Sequence, residues 1–291
     1  MFIDIHVHTR RLPCPPRPGG TTFATPDELL RQYDRMGIEA GVLLPLVSPE
    51  VECSPQSTED VLEICRLWPG RFIPFCNVDP RAMTNSPDAP LGEPLRLYRD
   101  RGCKGVGEVT ANLPFEHPMV RNLFHHVEAA GLPLIFHIAP EIGRNYGLYD
   151  DPGLPQLEAS LTAFPALRFL GHSQAFWAEI APLRDVKDRR GYPKYPVERE
   201  GRVTELMRRH PNLLGDLSAG SGHNALARDE AHAARFLEEF QDRLFFGTDI
   251  CTPNQKAPLA DFLIGLRDRG AISETVFRKV ARENAAALLG I

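Results

Sequence analysis

The opening segment is the feature that most constrains this chain, because an apolar run of β type ends there in two histidines. The sequence from Phe2 to His8 reads Phe-Ile-Asp-Ile-His-Val-His. Residues i and i+2 of a strand point to the same side, so His6 and His8 can converge on one point. Two imidazoles held at a strand end provide half of a tetrahedral zinc-type site. Alone, such a pair is as readily two ordinary histidines of a strand, so the rest of the chain has to decide.

Seven further apolar runs follow, and helix-type segments lie between them. We predict strands over residues 2–8, 40–46, 72–76, 103–109, 132–137, 167–171, 213–217 and 244–247. Short, nearly uninterrupted apolar runs that alternate with amphipathic helices are typical of parallel strands covered by helices. Eight such units predict a (β/α)8 TIM barrel that forms one domain over residues 1–291. An open doubly wound sheet is the main alternative, but it would place a ligand at one switch point rather than around a ring.

Composition narrows the possible partners. The formal net charge is −5 and no long Lys/Arg run is present, which argues against a nucleic acid or an anionic membrane as the main partner. The six cysteines show no C-x-x-C spacing, and no secretion signal or membrane-length apolar run is found, so we expect a cytoplasmic protein with reduced thiols. A small-molecule substrate is the expected partner. A homodimer is possible on general grounds, without an interface signature in the sequence.

Residues that bind metals or transfer protons stand at most of the predicted strand ends. In a closed barrel all these ends meet at one mouth. The set comprises His6 and His8 on strand one, Glu108 on strand four, His137 on strand five, His172 on strand six, Asp216 and Ser218 on strand seven, and Asp249 on strand eight. The sequence therefore predicts a metal site at the C-terminal ends of the strands.

Four motifs in this order resemble the amidohydrolase superfamily. They are Asp4-Ile5-His6-Val7-His8, Phe136-His137, Leu170-Gly171-His172 and Phe246-Gly247-Thr248-Asp249-Ile250. The chain is most similar to the amidohydrolase-2 branch, which includes aminocarboxymuconate-semialdehyde decarboxylase and several lactonases. The resemblance covers nearly the whole chain, including the closing tail Asn284-Ala285-Ala286-Ala287-Leu288-Leu289-Gly290.

This resemblance implies a divalent metal, most often zinc, with one or two ions bound. His6, His8, His137 and Asp249 would hold the metal, and His172 would lie beside it as a ligand of a second ion or as a catalytic residue. Glu108 stands where some relatives place a carboxylate that bridges two metals. The alternative is a carboxylate that only fixes a histidine tautomer, and we favour the metal ligand.

The resemblance also implies hydrolysis of an ester, lactone or amide bond by metal-activated water. Asp249 would accept the proton of that water and later protonate the leaving group, while His172 would stabilise charge on the substrate. We expect a small, carboxylate-bearing metabolite as the substrate. The alternative activity is a metal-dependent decarboxylation without oxidation, of the aminocarboxymuconate-semialdehyde type.

Residues on the loops after the strands are the candidates for substrate binding. Arg10 could bind a carboxylate, Trp177 could wall the pocket, and His223 could donate from the small loop over residues 218–224. Two less favoured functions are a phosphoesterase of the TatD or PHP type, whose motifs match only in part, and a non-catalytic barrel that binds a metabolite.

Overall fold

The structure is a computed structural model that describes residues 1–17 and 20–291, so residues 18 and 19 of the predicted loop after strand one lie outside it. The described residues form nine strands: β1 Phe2–Val7, β2 Ile38–Leu43, β3 Phe72–Pro74, β4 Val106–Val109, β5 Leu134–Ala139, β6 Leu148–Tyr149, β7 Phe169–His172, β8 Leu213–Asp216 and β9 Leu244–Phe245. All pairings are parallel, and β6 pairs with the C-terminal end of β5 and, through one bridge from Tyr149, with Pro114. The other eight correspond to the eight predicted strands.

Helices lie between the strands along the chain. They are α1 Pro26–Met36, α2 Thr58–Leu67, α3 Gly92–Asp100, α4 Pro118–Ala130, α5 Pro155–Ala163, α6 Gln174–Ala178, α7 Arg202–Arg209, α8 Ala219–Ala227, α9 Glu230–Glu239, α10 Leu259–Asp268, α11 Glu274–Arg278 and α12 Asn284–Leu289. A 3-10 turn covers Val186–Arg190, and a π-helical turn, Lys279–Glu283, joins α11 to α12. No helix in the described ranges combines the length and the apolar character needed to cross a bilayer.

Backbone hydrogen bonds close the strands into a ring where the regular ladders stop. Between β1 and β9, the N–H of Ile5 donates to the carbonyl of Phe246 at 3.0 Å. Between β3 and β4, the N–H of Cys76 donates to the carbonyl of Gly105 at 3.0 Å. The ring confirms the predicted barrel and excludes the doubly wound alternative, because all eight strand ends now surround one mouth.

Apolar side chains from around the ring fill the barrel below its mouth. This cluster comprises Ile3, Ile5, Ala40, Val42, Leu44, Ile73, Phe75, Ile135, Leu170, Leu214 and Phe245. Helix α12 adds Ala285 and Leu289 to the same cluster, while Asn284 donates to the carbonyl of Leu244, where β9 begins. The N-terminal end of the barrel is therefore plugged, and polar chemistry is confined to the C-terminal end.

The segment after β8 corrects one prediction, because residues 218–224 were expected to form a flexible loop and instead start α8. A β-carbon on Gly222 would lie 2.1 Å from the carbonyl oxygen of Leu217, so glycine is required where the helix turns tightly away from the strand.

Gly41 provides a test of how tightly α1 packs on the barrel. It pairs with Asp4 in the β1–β2 ladder, and a β-carbon there would lie 2.1 Å from the hydroxyl oxygen of buried Tyr33. We expect Gly41→Ala to lower the free energy of unfolding by about 1–3 kcal/mol through overpacking, measured by urea denaturation. Gly191→Ala is the matched control, since no atom lies within 4 Å of its β-carbon position. Equal urea midpoints for the two variants would contradict the packing described here.

Candidate metal centre

At the mouth of the barrel, one carboxylate oxygen of Glu108 and one of Asp249 lie close to the Nε2 atoms of both His6 and His8. The Nε2 atoms of His6 and His8 lie 3.1 Å apart. Oε2 of Glu108 lies 3.7 Å from His6 Nε2 and 3.6 Å from His8 Nε2, and Oδ1 of Asp249 lies 3.6 Å from both nitrogens. Two ligands bonded at about 2.0–2.2 Å to a tetrahedral ion lie roughly 3.3–3.6 Å from each other. These five separations therefore match those between ligands of one divalent ion such as zinc, and His6, His8 and Glu108 form a group close enough to hold it.

The second oxygen of Glu108 faces two more of the predicted residues. Oε1 lies 2.8 Å from Nδ1 of His137 and 3.8 Å from Nε2 of His172. These three side chains are also close enough to hold an ion together, as are His6, His172 and Asp249. Glu108 thus stands between two groups of histidines, as a bridging carboxylate would.

Buried acceptors behind the ring fix the orientation of the histidines. Asp216 Oδ2 lies 2.6 Å from His6 Nδ1 and 3.4 Å from His172 Nδ1, and the Leu44 carbonyl lies 2.9 Å from His8 Nδ1. A carbonyl and an ionised carboxylate can only accept, so Nδ1 of His6 and Nδ1 of His8 each carry a proton and donate. Nε2 of both rings therefore faces the mouth, where a metal would bind it.

Asp4 ties the ring to the surrounding fold. Its carboxylate accepts from the N–H of His6 at 3.0 Å, from the hydroxyl of Tyr33 at 2.7 Å, and from the N–H and hydroxyl of Thr248 at 2.9 and 2.5 Å. Burial raises the pKa of Asp4 to about 6, and these four donors oppose that rise. One buried carboxyl group thus joins β1, α1 and the turn that carries Asp249.

The turn after β9 places Asp249 with a backbone that few residues adopt. Asp249 has φ 52°, in the left-handed region that aspartate tolerates better than most residues. Its N–H donates to the carbonyl of His6 at 2.8 Å, and Gln255 Nε2 donates to its carbonyl at 2.7 Å. Its side chain, 27% exposed, is the most accessible in the ring and faces the solvent side of the mouth.

The electrostatics of the ring favour a positive charge at its centre. Burial lowers the pKa of His6, but Asp216, Glu108 and Asp249 outweigh it and raise that pKa to about 10. Burial raises the pKa of Glu108 and of Asp216, yet the neighbouring histidines hold both below their usual values. A site that stabilises an added proton this strongly equally suits a divalent cation, which would replace that proton.

His172 has the opposite tendency to His6. Burial, together with the charge of His6, lowers the pKa of His172 to about 4, so its imidazole is neutral near pH 7. Its Nδ1 lies 2.9 Å from the hydroxyl of Ser218 as well as near Asp216. His172 can therefore act as a neutral ligand or base, whereas the predicted stabilisation of substrate charge would need an N–H directed into the mouth.

Two of the three predicted substrate contacts lie away from the ring. Trp177 lies on α6, is 1% exposed and packs in the hydrophobic core. Its indole N–H donates to the backbone carbonyl of Asp216 at 2.8 Å. This position corrects the prediction that it walls the pocket, because a substrate cannot reach it. His223 lies on α8, where its ring packs edge-on against Phe262 and borders a surface pocket with Tyr192 and Lys194.

Arg10 is buried beside the mouth rather than open to it. Its guanidinium donates to the carbonyl of Ser54 at 2.6 Å and lies 4.9 Å from the centre of the Phe23 ring. Arg17, which sequence reasoning missed, lies 5.2 Å from the same ring, and its Nη1 donates to Sγ of Cys251 at 2.8 Å. No motif marked Arg17, because it stands in a Pro-rich loop without periodicity.

Comparisons with known proteins were made on the sequence and on the fold. No curated protein matches the chain at a significant level. An uncharacterized TIM-barrel protein from Bordetella bronchiseptica has a TM-score of 0.66 and 15% identity, with 99% of this chain and 98% of that chain covered. A probable 2-pyrone-4,6-dicarboxylic acid hydrolase from Acinetobacter baumannii, solved with citric acid bound, has a TM-score of 0.60 and 14% identity, covering 100% and 99%.

A 5-carboxyvanillate decarboxylase from Sphingomonas paucimobilis has a TM-score of 0.63 and 18% identity, covering 100% of this chain and 99% of that chain. These structural similarities confirm the TIM-barrel fold. The sequence model of the family described as amidohydrolase (Amidohydro_2) matches residues 3–291. Because the match spans nearly the whole chain, and the ligand-type residues of the four motifs meet at one barrel mouth, this protein belongs to the amidohydrolase family.

Proposed function

We propose that this protein is a metal-dependent hydrolase that cleaves an ester or lactone bond, or an amide bond, in a small metabolite bearing a carboxylate. The observation that carries the proposal is the spacing of the His6, His8, Glu108 and Asp249 ligand atoms, at 3.1–3.7 Å in the measured pairs. The amidohydrolase family is generally metal-dependent, which agrees with this donor set.

Zinc is the metal that the donor set fits best, since imidazole nitrogens and carboxylate oxygens in a compact four-atom group suit its preferred geometry. When bound, such an ion polarises a substrate oxygen and lowers the pKa of water from 15.7 to about 7. His137 and His172, with the second oxygen of Glu108, provide the residues for a second ion.

Asp249 is the residue that we assign as the proton acceptor for the attacking water. Its carboxylate combines two properties that this role needs, namely a place in the ring and access to solvent. After the bond breaks, the same carboxyl group can return the proton to the leaving oxygen or nitrogen. His172 would support this exchange as a neutral base or as a ligand, in line with its lowered pKa.

Two similar structures support a carboxylate-bearing substrate for this barrel. One is named as a hydrolase of 2-pyrone-4,6-dicarboxylic acid and the other as a decarboxylase of 5-carboxyvanillate, so both names specify a six-membered ring with a carboxylate. Their reactions differ, and decarboxylation is therefore the second candidate. Hydrolysis is favoured by Glu108 if it is a metal ligand, because the resemblance implies that the decarboxylase branch generally has no ligand at this position.

The first prediction from this proposal concerns metal retention. Asp216 touches His6 and His172 but contributes no atom to the proposed ion site, so Asp216→Asn should lower metal affinity about 10–100-fold by loosening the orientation of the histidines. Metal content after dialysis against a graded series of chelator concentrations measures this effect. Asp242→Asn is the control, because Asp242 is exposed and pairs with Lys279. Purified protein that binds no divalent metal, or equal retention in both variants, would contradict the proposed centre.

The second prediction concerns the reaction. With metal-loaded protein and 2-pyrone-4,6-dicarboxylate, we expect acid release without carbon dioxide release, and Asp249→Asn should lower kcat about 10²–10⁴-fold. Metal analysis of the same Asp249→Asn sample separates lost proton transfer from lost metal. Carbon dioxide release from 5-carboxyvanillate without hydrolysis of any lactone, ester or amide in a panel would replace this proposal by the decarboxylase.

A further inference from the structure

Two side chains outside the predicted set border the open side of the ring. The ring of Tyr146 lies 4.6 Å, centroid to centroid, from the ring of His137. Among the described residues, its hydroxyl group has no hydrogen-bond partner. A tyrosine phenol is protonated at neutral pH, so this hydroxyl is available as a donor beside the metal site.

Arg17 is held on one side and open on the other. Its Nη1 donates to Sγ of Cys251, two residues after Asp249, and its Nε lies 3.1 Å from Oε1 of Glu52. Within the described ranges, Nη2 has no hydrogen-bond partner, and the side chain is 22% exposed. The stacking on Phe23 and the contact with Glu52 fix the plane of the guanidinium, which reduces the entropy lost when it binds a ligand.

Contacts show which part of the molecule Arg17 and Tyr146 face. Arg17 donates to Cys251, two residues after Asp249, and Tyr146 packs against the ring of His137. Both side chains therefore border the ring, and Arg17 lies beside the turn that carries its most exposed carboxylate. A substrate whose reacting bond lies at the ring would extend past both side chains.

Arg10 is the competing cation in the same loop. Its donation to the Ser54 carbonyl and its burial, at 8% exposed, direct it into a narrow pocket of about 200 Å³ beside α2. That pocket is bordered by residues 10–14, by residues 54–56 and by residues of α2. Its lining includes none of the candidate metal ligands, which are His6, His8, Glu108, His137, His172 and Asp249. Arg17, by contrast, contacts the residue that follows Asp249 by two positions.

We propose that Arg17 and Tyr146 form the subsite that binds a carboxylate of the substrate. The Nη edge of Arg17 donates to the carboxylate oxygens, and the Tyr146 hydroxyl donates to a carboxylate or ring oxygen of the same molecule. This inference rests on the proposed function of the ring, because it names the substrate class that the ring would act on. It selects anionic substrates over their neutral esters and amides.

The test compares a charged probe with its neutral counterpart. Isophthalate and isophthalamide share a benzene ring and differ in charge, and their binding to metal-loaded protein is measured by calorimetry. We expect Arg17→Met to weaken isophthalate binding about 30-fold or more and to change isophthalamide binding little. Tyr146→Phe should weaken isophthalate binding less. Arg17→Lys, which keeps the charge without the planar fork, should give an intermediate loss.

Arg11→Met is the matched control, because Arg11 is an exposed arginine of the same loop. If Arg17 only anchors the loop, Arg17→Met will weaken both probes equally, or neither, and the subsite is wrong. The two proposals fail separately. If Arg17→Met selectively loses isophthalate binding but the unchanged protein hydrolyses nothing, the subsite is upheld and the hydrolase proposal is overturned. If the protein is a hydrolase but Arg17→Met leaves kcat/KM unchanged both for an anionic substrate and for its methyl ester, the subsite alone is overturned.

Discussion

The hydrogen bond between Asp216 and His6 is the interaction on which the rest of the site depends. It spans 2.6 Å between Oδ2 and Nδ1, and both side chains are fully buried. Because Nδ1 donates to Asp216, Nε2 of His6 has to face His8. Asp216 is itself held by the core, since the indole of Trp177 donates to its backbone carbonyl. Trp177, which packs in the core, is therefore connected to the candidate metal ligand His6 through Asp216.

Carboxylates this close together are compatible with folding only because different partners compensate each of them. Asp4 is satisfied by four donors and needs no cation. The charge of Asp216 is compensated by protonated His6, while Glu108 and Asp249 face the centre of the mouth. Burying like charges without a counter-charge costs several kcal/mol per ion. The ring is thus built for a resident positive charge, which a proton on His6 supplies when no metal does.

Much of the fold and of the ring could be predicted from the sequence, because strands and their ends leave a local signature. His6, His137 and His172 each follow an apolar run, so closing the barrel brings them together whatever the loops do. The role of Asp216 could not be read in the same way, since a ligand and a residue that orients a ligand differ by one or two ångströms in the strand register. Sequence placed it correctly at a strand end and could say no more.

The residues placed differently from prediction lie on segments whose local structure was not predicted. Trp177 and His223 lie on α6 and α8, two short helices that were expected to be loops. Successive side chains of a helix are rotated by about 100°, so one residue faces the core and another faces the solvent. The loop that carries Arg10 and Arg17 has no periodicity at all. Its conformation depends on tertiary contacts with Phe23, Ser54 and Cys251.

Glu108 decides how the two halves of the ring relate to each other. A carboxylate that served only to fix the tautomer of His137 would need only one of its oxygens near that ring. The other oxygen of Glu108, Oε2, nevertheless lies 3.6–3.7 Å from Nε2 of both His8 and His6. The 2.8 Å separation of Oε1 from His137 Nδ1 is a hydrogen-bond distance, shorter than the roughly 3.3 Å between two ligands of one ion. An ion between His6 and His8 therefore needs no rearrangement of Glu108, whereas a second ion beside His137 has to replace an existing hydrogen bond. The first position should consequently fill at lower metal concentration than the second.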